Sequence, residues 1–402
     1  MPRILLLLPT ATYRASDFLS AAARLGVEVV VGSEHRQALS GAMGDRALVV
    51  PLADTAAAVA AIVLLHHRTP LDAVLAVDDQ GVIVAALAAQ QLGLRHSPPG
   101  AVAGTRDKVV MRQRLALAAL PQPRFGTVPP GADVAAVAAE IGYPCVVKPV
   151  SRSASQGVIR VDDSAQAEAA EARVRAIIGN DSEPLLVEGY VPGAEVAVEG
   201  LLQGGELEVL AVFDKPDPMD GPYFEETIYV TPSPQPTAVR AAVESTVARA
   251  AAALGLREGP VHAELRIDPS GAATVLELAA RSIGGLCARS LRFGAGVSLE
   301  EVIIRHALGM GLEGLAREAG ASGVMMMPIR AAGVLDKVTG IDEARAVVGV
   351  VGVEISIPAG RPVVPLPEGD RYLGFIFARA DTPQQVEDAL RRAESSMQVH
   401  LR

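Results

Sequence analysis

The stretch VHAELRIDPSGAATVLE, residues 261–277, consists of two apolar runs with strand-like alternation, joined by the turn-forming residues Asp-Pro-Ser-Gly. We interpret it as a β-hairpin. Because side chains alternate along a strand, His262, Glu264 and Arg266 share one face, and Glu277 can lie opposite Glu264. Facing carboxylates repel unless a cation lies between them, and Mg²⁺ prefers such oxygen ligands. The alternative is an exposed strand face on which arginines neutralise the glutamates.

The chain has four lysines, and two of those upstream of the hairpin occur in settings that suit phosphate binding. Lys148 lies in an apolar strand, residues 145–150, and the small-residue loop SRSASQG follows at 151–157. Backbone N–H groups and hydroxyls of such a loop can approach phosphate oxygens, while the lysine supplies charge. The loop is not a Walker A sequence, which opens a helix with Gly-Lys-Ser/Thr. Lys108 starts a predicted helix at 107–120, where a solvated lysine is the alternative.

A third segment, LLVEGYVPGAE at 185–195, is an apolar strand that ends in an acidic bend containing glycine. Its backbone could face a flat adenine ring and its last carboxylate could bind ribose hydroxyls, although many β-bends look alike. Further strands are predicted at 195–202 and 208–213. We expect them to form one β-rich block with 185–188.

The N-terminal residues predict a parallel sheet. Short apolar strands at 3–8, 27–31, 47–50 and 73–77 alternate with helices at 16–25 and 81–92, a pattern typical of a sheet covered on both faces. The turn after the first strand, PTATY at 9–13, lacks the glycines of a dinucleotide-binding site. HSPPG at 96–100 marks a boundary, and more strands and a terminal helix at 383–395 follow residue 310. The fold class is therefore α/β.

Composition argues against several functional classes of protein. The chain has 402 residues, 50% of them hydrophobic and 20% charged, and a formal net charge of −10, which argues against a general nucleic-acid binder. No apolar stretch reaches the roughly 18 residues of a membrane helix, and the first apolar run is too short for a signal peptide. Cys145 and Cys287 have no disulfide or metal spacing, so we expect packed thiols and a cytoplasmic protein.

Taken in order, Asp107-Lys108, Lys148 with its loop, the bend at 188–195 and the hairpin glutamates followed by Arg281 resemble the ATP-grasp superfamily of carboxylate–amine ligases. The resemblance covers about 98–310, and the flanking blocks resemble those of the biotin-carboxylase-like branch. Within that branch, three stretches are similar to the L-amino-acid ligases, which make dipeptides. They are DKP at 214–216 leading to GPYFEET at 221–227, ELAAR at 277–281, and VMMMP at 324–328.

The resemblance implies three domains. Residues 1–98 would form an N-terminal α/β domain, and 99–310 the ATP-grasp domain, with a lid subdomain at about 122–187. Residues 311–402 would form a C-terminal α+β domain.

The resemblance also implies roles for matching residues. The residues implied for ATP are Lys108 and Lys148 at the phosphates, Ser153, Ser155 and Gly157 in the lid loop, Glu188 and Val191 at adenine, and Glu195 at the ribose. Glu264 and Glu277 would bind Mg²⁺, with Mn²⁺ as an alternative ion, and Arg281 would stabilise the anionic acyl phosphate. Ala279 stands where many members have asparagine as a third metal ligand. It either leaves a water in the coordination sphere or is typical of the ligase subfamily.

The resemblance also implies substrate contacts for four residues: Asp220, Tyr223, Glu226 and Gly285. A carboxylate in the 220–226 segment could bind a substrate ammonium, and a charged surface loop is the alternative. Gly285 indicates either a roomier pocket or a close backbone approach. Lys215 either supports the phosphates or pairs with Asp214. Asp78 and Asp79, after a strand, either face a ligand or cap a helix.

These residues predict an ATP-dependent ligase that activates a carboxylate as an acyl phosphate and joins it to an amine, releasing ADP and phosphate. Amino acids are the expected substrates because of the subfamily resemblance. The alternatives are another ATP-grasp reaction, such as carboxylation through carboxyphosphate or purine-type amide formation, and a nucleotide-binding protein without catalysis. Small-molecule substrates are expected, with no nucleic acid and no membrane. The resemblance implies a homodimer, which no sequence feature establishes.

Overall fold

The computed structural model describes residues 1–9, 12, 14–35 and 44–402, so the turn at 9–13 lies partly outside the described residues. In chain order the helices are α1 (Ala15–Arg24), α2 (Thr55–Arg68), α3 (Val82–Leu92), α4 (Pro99–Arg106), α5 (Lys108–Leu117), α6 (Val134–Ile141), α7 (Ser164–Ile178), α8 (Thr237–Leu254), α9 (Leu299–Ala307), α10 (Ile341–Ala346) and α11 (Pro383–Ser395).

The strands fall into four sheets. In chain order they are β1 (Arg3–Leu7), β2 (Glu28–Ser33), β3 (Ala47–Val49), β4 (Ala73–Ala76), β5 (Phe125–Val128), β6 (Cys145–Pro149), β7 (Ile159–Val161), β8 (Leu185–Gly189), β9 (Ala194–Gln203), β10 (Glu206–Lys215), β11 (Ile228–Thr231), β12 (Gly259–Ile267), β13 (Ala273–Ala279), β14 (Ala321–Met327), β15 (Gly333–Thr339), β16 (Val350–Ile355), β17 (Pro362–Val363), β18 (Gly374–Ala380) and β19 (Gln398–Leu401).

The N-terminal sheet is parallel, as the sequence predicts. Its strand order is β3-β2-β1-β4. Alternate residues of β1 face opposite cores, since Leu6 packs in the cluster with Phe18 of α1 and Leu5 packs with Ile62 of α2. Helices therefore cover both faces, and the carboxyl ends of β1 and β4 point toward the rest of the molecule.

An antiparallel sheet of eight strands links the central and C-terminal parts of the chain, in the order β13-β12-β9-β10-β11-β14-β18-β16. The predicted hairpin is β12–β13, and its turn is held by Asp268, whose carboxylate accepts from the N–H groups of Ser270 at 2.8 Å and Ala272 at 3.0 Å. Helix α8 packs on the apolar face of β9, β12 and β13 through Val243 and Val247. The charged side chains of these strands are left on the other face.

A separate antiparallel sheet, β5-β8-β6-β7, packs with α6 and α7. It lies in the region that the resemblance implies to be a lid, and we call it the lid. The expectation of one β-rich block starting at 185 is wrong here. β8 pairs with β5 and β6, whereas β9 pairs with β10 and β12. The bend between β8 and β9 thus carries the chain from one sheet to the other.

The C-terminal residues extend the large sheet rather than forming a detached one. β14 and β18 pair side by side, and β16 forms the edge. Helix α11 packs on this end through Val386 and Leu390, and β17-β15-β19 form a small additional sheet. The C-terminal part therefore reaches the central domain through continuous strand pairing and a shared core.

Candidate active site

The site is built on one face of β9, β10, β12 and β13, where strand register places charged residues in rows. Lys215, Glu195 and Arg266 are successive partners across β10, β9 and β12. Two residues further along β12, Glu264 pairs with Glu277 of β13. Antiparallel partners have Cα atoms about 4.5–5.5 Å apart, so these carboxylates belong to one site, as the hairpin pattern predicts.

Buried Lys215 lies at the centre of an acidic cluster of one buried and two partly buried glutamates. Its Nζ is 2.7 Å from a carboxylate oxygen of Glu195, 2.5 Å from Glu226 and 3.4 Å from Glu264. The suggested pairing with Asp214 is wrong, because neighbouring residues of a strand point to opposite faces and Asp214 accepts from the Ser233 hydroxyl at 2.5 Å. Burial alone would lower the pKa of Lys215, but the three carboxylates hold it well above its usual value.

The predicted metal ligands contact different lysines. Glu264 lies beside Lys215, and Glu277 lies 3.5 Å from Lys108. Oxygen atoms of Glu195, Glu226 and Glu264 also lie within 4.8 Å of one another. Burial, and then repulsion from Glu226, raises the pKa of Glu264, which means that this carboxyl lacks sufficient positive charge nearby. A hard divalent cation would supply that charge, so the donor set fits Mg²⁺.

The two predicted phosphate-binding lysines are both buried, so the solvated alternative for Lys108 is wrong. Lys108 Nζ donates to the Arg152 carbonyl at 2.6 Å, at the start of the lid loop. Lys148 Nζ lies 2.6 Å from Glu188, whose other oxygen accepts from Arg112 Nε at 2.6 Å. Burial lowers the pKa of Lys148.

Glu188, predicted to lie at adenine, forms ion pairs with Arg112 and Lys148 in this structure. Burial alone would raise its pKa, but these two cations lower it to about 2. The Val191 carbonyl accepts from Arg266 at 2.7 Å, and Arg266 also binds Glu195, expected at the ribose, at 2.9 Å. The predicted adenosine side is thus tied to the Lys215 cluster through Arg266.

Arg281 is anchored by the N-terminal domain. Its Nε lies 2.9 Å from the Asp79 carboxylate, which also lies 3.1 Å from Arg106. Burial alone would raise the pKa of Asp79, but Arg281 and Arg106 lower it, and a hydrogen bond with Ser153 contributes. Asp79 therefore faces the site rather than capping a helix, and it connects the N-terminal sheet, the lid loop and the arginine.

The lid loop adopts a tight conformation that brings it to the C-terminal domain. Ser155 and Gly157 have positive φ angles of 54° and 72°. The Gly157 N–H donates to the Pro367 carbonyl at 2.9 Å, and the Gln156 side chain donates to the Glu368 carbonyl at 2.8 Å. Small residues permit this conformation, since a bulky side chain disfavours positive φ.

The four substrate residues lie in two places. Glu226 is in the acidic cluster, where it accepts from Tyr229 at 2.5 Å and from Tyr372 at 3.3 Å. Asp220 accepts from Tyr190 at 2.8 Å, and the Tyr223 hydroxyl contacts Arg173, so both face the lid.

Gly285 is the last of the four predicted substrate residues. Its backbone lies close to a neighbouring side chain, which is one of the two roles predicted for it. It has φ +58°, and a Cβ atom there would lie 2.9 Å from the Phe375 ring.

Three charged residues of the site were not predicted from the sequence: Arg112, Arg106 and Glu199. Glu199 contacts His262, with 3.6 Å between the Glu199 oxygen and Nδ1, and both its oxygens accept from the Ile283 N–H at 2.8 Å. Two of them carry a signal in the sequence. Arg112 follows Lys108 by four positions, which is about one helical turn, and Glu199 follows Glu195 by four positions, which places both on the same face of a strand.

Both cysteines are buried and reduced, as expected. Burial raises the pKa of Cys145 to about 11. Among the described residues, no helix has the length and apolar character needed to cross a bilayer.

Three family models match consecutive parts of the chain. They are an ATP-grasp N-terminal domain at 19–96, an ATP-grasp domain at 141–290, and an L-amino acid ligase C-terminal domain at 325–402. The D-alanine–D-alanine ligase of Aromatoleum aromaticum is 31% identical over 174 residues, which are 43% of this chain and 55% of that protein. An uncharacterised protein of Sinorhizobium fredii is 28% identical over 72% of this chain and 60% of its own length. The chain thus spans less than two thirds of these relatives.

Among solved structures, an L-amino acid ligase from Bacillus licheniformis is 26% identical, with a TM-score of 0.85, over 100% of this chain and 99% of that one. N5-carboxyaminoimidazole ribonucleotide synthetase from Thermotoga maritima shares the fold, with a TM-score of 0.75 and 16% identity over 100% of both chains. Lysines beside a small-residue loop, paired acidic strands and a buried arginine thus occur on a framework shared along its whole length. The chain carries an ATP-grasp domain at 141–290 between matches to an ATP-grasp N-terminal domain and an L-amino acid ligase C-terminal domain, and it shares its overall fold with the L-amino acid ligase.

Proposed function

We propose that the protein is an ADP-forming carboxylate–amine ligase that joins amino acids through an acyl phosphate. The observation that carries this proposal is the convergence of Lys108, Lys148, Glu264, Glu277 and Arg281 on one buried site beneath the lid loop. The full-length likeness to an L-amino acid ligase supports the choice of substrates.

In the proposed reaction, a substrate carboxylate oxygen attacks the γ-phosphorus of ATP and ADP leaves. The amine nitrogen of the second substrate then attacks the acyl carbon, phosphate leaves, and the nitrogen loses a proton. Lys108 and Lys148 would hold the phosphates, and Arg281 would neutralise charge on the acyl phosphate. The lid loop would exclude water, which otherwise hydrolyses the intermediate.

Mg²⁺ would be held by Glu264 and Glu277, where it neutralises phosphate charge. In the free protein, Lys215 and Lys108 provide part of the positive charge around these carboxylates. We propose that Glu226 keeps its contacts with Lys215 and the two tyrosines, and that its carboxylate attracts a substrate ammonium.

The direct test is phosphate release with ATP and Mg²⁺ across a matrix of paired amino acids, followed by product masses. A product whose mass equals two amino acids minus water would support peptide ligation. Phosphate release that requires bicarbonate would favour carboxylation instead. Nucleotide binding without any ADP would favour the non-catalytic alternative.

The metal assignment is tested separately with Glu277→Ala. Mg²⁺-dependent turnover should fall below detection while the circular dichroism spectrum stays unchanged. Glu206→Ala, which removes an exposed glutamate at the start of β10, is the matched control and should keep full activity. Full activity of Glu277→Ala would exclude this carboxylate as a ligand.

A further inference from the structure

A second cluster of positive charge lines an open pocket of about 80 Å³, and none of the residues that line it belongs to the proposed ligase site. Three arginines line it: Arg292 after the turn at 287–290, Arg317 in the segment before β14, and Arg379 on β18. We call these three side chains and their surroundings the arginine pocket. Buried Ser290 and Ser322 form part of its wall.

Little negative charge lies near the three guanidinium groups. Arg292 donates to the carbonyl oxygens of Arg289 at 3.3 Å and Leu291 at 2.6 Å, and Arg317 donates to the Gly320 carbonyl at 3.2 Å. Arg379 lies 3.4 Å from Glu318, the one carboxylate that lines the pocket. Backbone carbonyls orient these arginines but do not neutralise them.

Neighbouring charges do not remove the imbalance. Glu300 and Glu318 act favourably on Arg292, but Arg379 and Arg24 oppose it, and Arg24 is itself paired with Glu301 at 3.0 Å. Burial, and then repulsion from Arg379, lowers the pKa of both Arg292 and Arg317. Partly buried like charges held together in this way are stabilised by an anion.

The number of guanidinium groups indicates which anion. One arginine already satisfies a carboxylate through two parallel hydrogen bonds, whereas three arginines around one space suit the additional oxygens of a phosphoryl group. The pocket volume of about 80 Å³ has space for several waters at about 10–15 Å³ each, and its open side leaves room for a phosphoryl group to enter from solvent. We propose that the arginine pocket binds a phosphoryl oxyanion, free or as part of a small molecule, at a site distinct from the ATP site.

The experiment is calorimetric titration of the full-length protein with inorganic phosphate and with pyrophosphate at low ionic strength. A Lys148→Met background weakens any binding at the proposed ATP site, so the remaining heat reports the arginine pocket. The double substitution Arg292→Gln and Arg317→Gln should weaken that binding at least tenfold. Arg345→Gln, which changes an exposed arginine of α10, should leave it unchanged.

A second variant guards against loss of fold. Glu318→Gln removes the lining carboxylate and should tighten phosphate binding, an effect that a damaged fold would not produce. Stronger binding of pyrophosphate than phosphate would indicate a diphosphate-containing ligand, and the reverse order a monophosphate. Three results would overturn the proposal: no binding in the Lys148→Met background, equal binding by the Arg292/Arg317 variant, or tighter binding of succinate than of either phosphate.

Discussion

At the scale of single residues, Lys215 has more carboxylate partners than the other three lysines, since its buried ammonium contacts one buried and two partly buried carboxylates. Removing one partner of a buried ion pair costs about 3–5 kcal/mol, because the remaining charges lose their compensation. We therefore expect Lys215→Met to lower the free energy of unfolding by about that amount. Urea denaturation measures it, and Lys337→Met, at an exposed site, should change stability little. Equal stability of both variants would mean that the carboxylates do not depend on Lys215.

His262 should make stability depend on pH. Burial alone would lower its pKa, but Glu199 and Glu264 raise it from 6.5 to about 9. A histidine with a raised pKa stabilises the folded state fully below pH 6.5 and loses that contribution as the pH rises through about 9.

The comparison is wild type against His262→Gln, by urea denaturation in EDTA. Their difference in free energy of unfolding should shrink by about 3 kcal/mol between pH 6 and pH 10. A difference that stays constant across this range would show that His262 does not gain its proton on folding.

At the scale of elements, an ion pair between Arg173 and Glu368 connects the lid to the C-terminal domain, and we call this pair the latch. Arg173 of α7 forms two hydrogen bonds with the Glu368 carboxylate, at 2.5 Å and 3.0 Å, beside the backbone contacts of the lid loop. Both side chains are about 40% exposed, so the pair contributes at most about 1 kcal/mol. This latch can hold the lid closed without preventing it from opening.

Breaking the latch should make the lid open more often. In Arg173→Ala we expect proteolysis within the loop at 151–157 to accelerate about two- to fivefold, the factor that corresponds to about 0.5–1 kcal/mol. Arg175→Ala is the control on the same helix, because Arg175 pairs with Glu171 inside the lid. The same acceleration in both variants would indicate general loosening of α7 instead of a latch.

At the scale of the whole molecule, Asp79 couples the N-terminal domain to the site through Arg281 and Arg106. Asp79→Asn should lower stability by about 3 kcal/mol and turnover by at least about tenfold, because Arg281 loses the carboxylate that positions it. Urea denaturation and phosphate release measure the two effects.

The control for Asp79 is Asp54→Ala. It removes the cap of α2, where the Asp54 side chain accepts from the Ala57 N–H at 3.0 Å, and should cost about 1 kcal/mol of stability without affecting turnover. Unchanged turnover in Asp79→Asn would show that the N-terminal domain does not position Arg281.

Local patterns predicted much of the architecture. The parallel N-terminal sheet, the β12–β13 hairpin and the helix at 383–395 all follow from hydrophobic period and turn residues. Helices α2 and α7 were not predicted. The large apolar residues of α2, at 59 and 62–65, do not keep to one face, and α7 mixes alanines with charged residues, so neither sequence shows a clear apolar face. In the structure α2 packs against α3 and α7 against α6.

The sequence by itself determined which residues could bind phosphate and a cation, because strand alternation places Glu264 and Glu277 on one face and a small-residue loop follows Lys148. Only the tertiary structure decided their partners. It joined Asp79 to Arg281, placed Glu188 between Arg112 and Lys148, and bound Arg14 to Ser282 across 268 positions of the chain. Period and turn chemistry act over a few neighbouring residues, whereas a buried charge finds its counter-charge through the packing of whole domains.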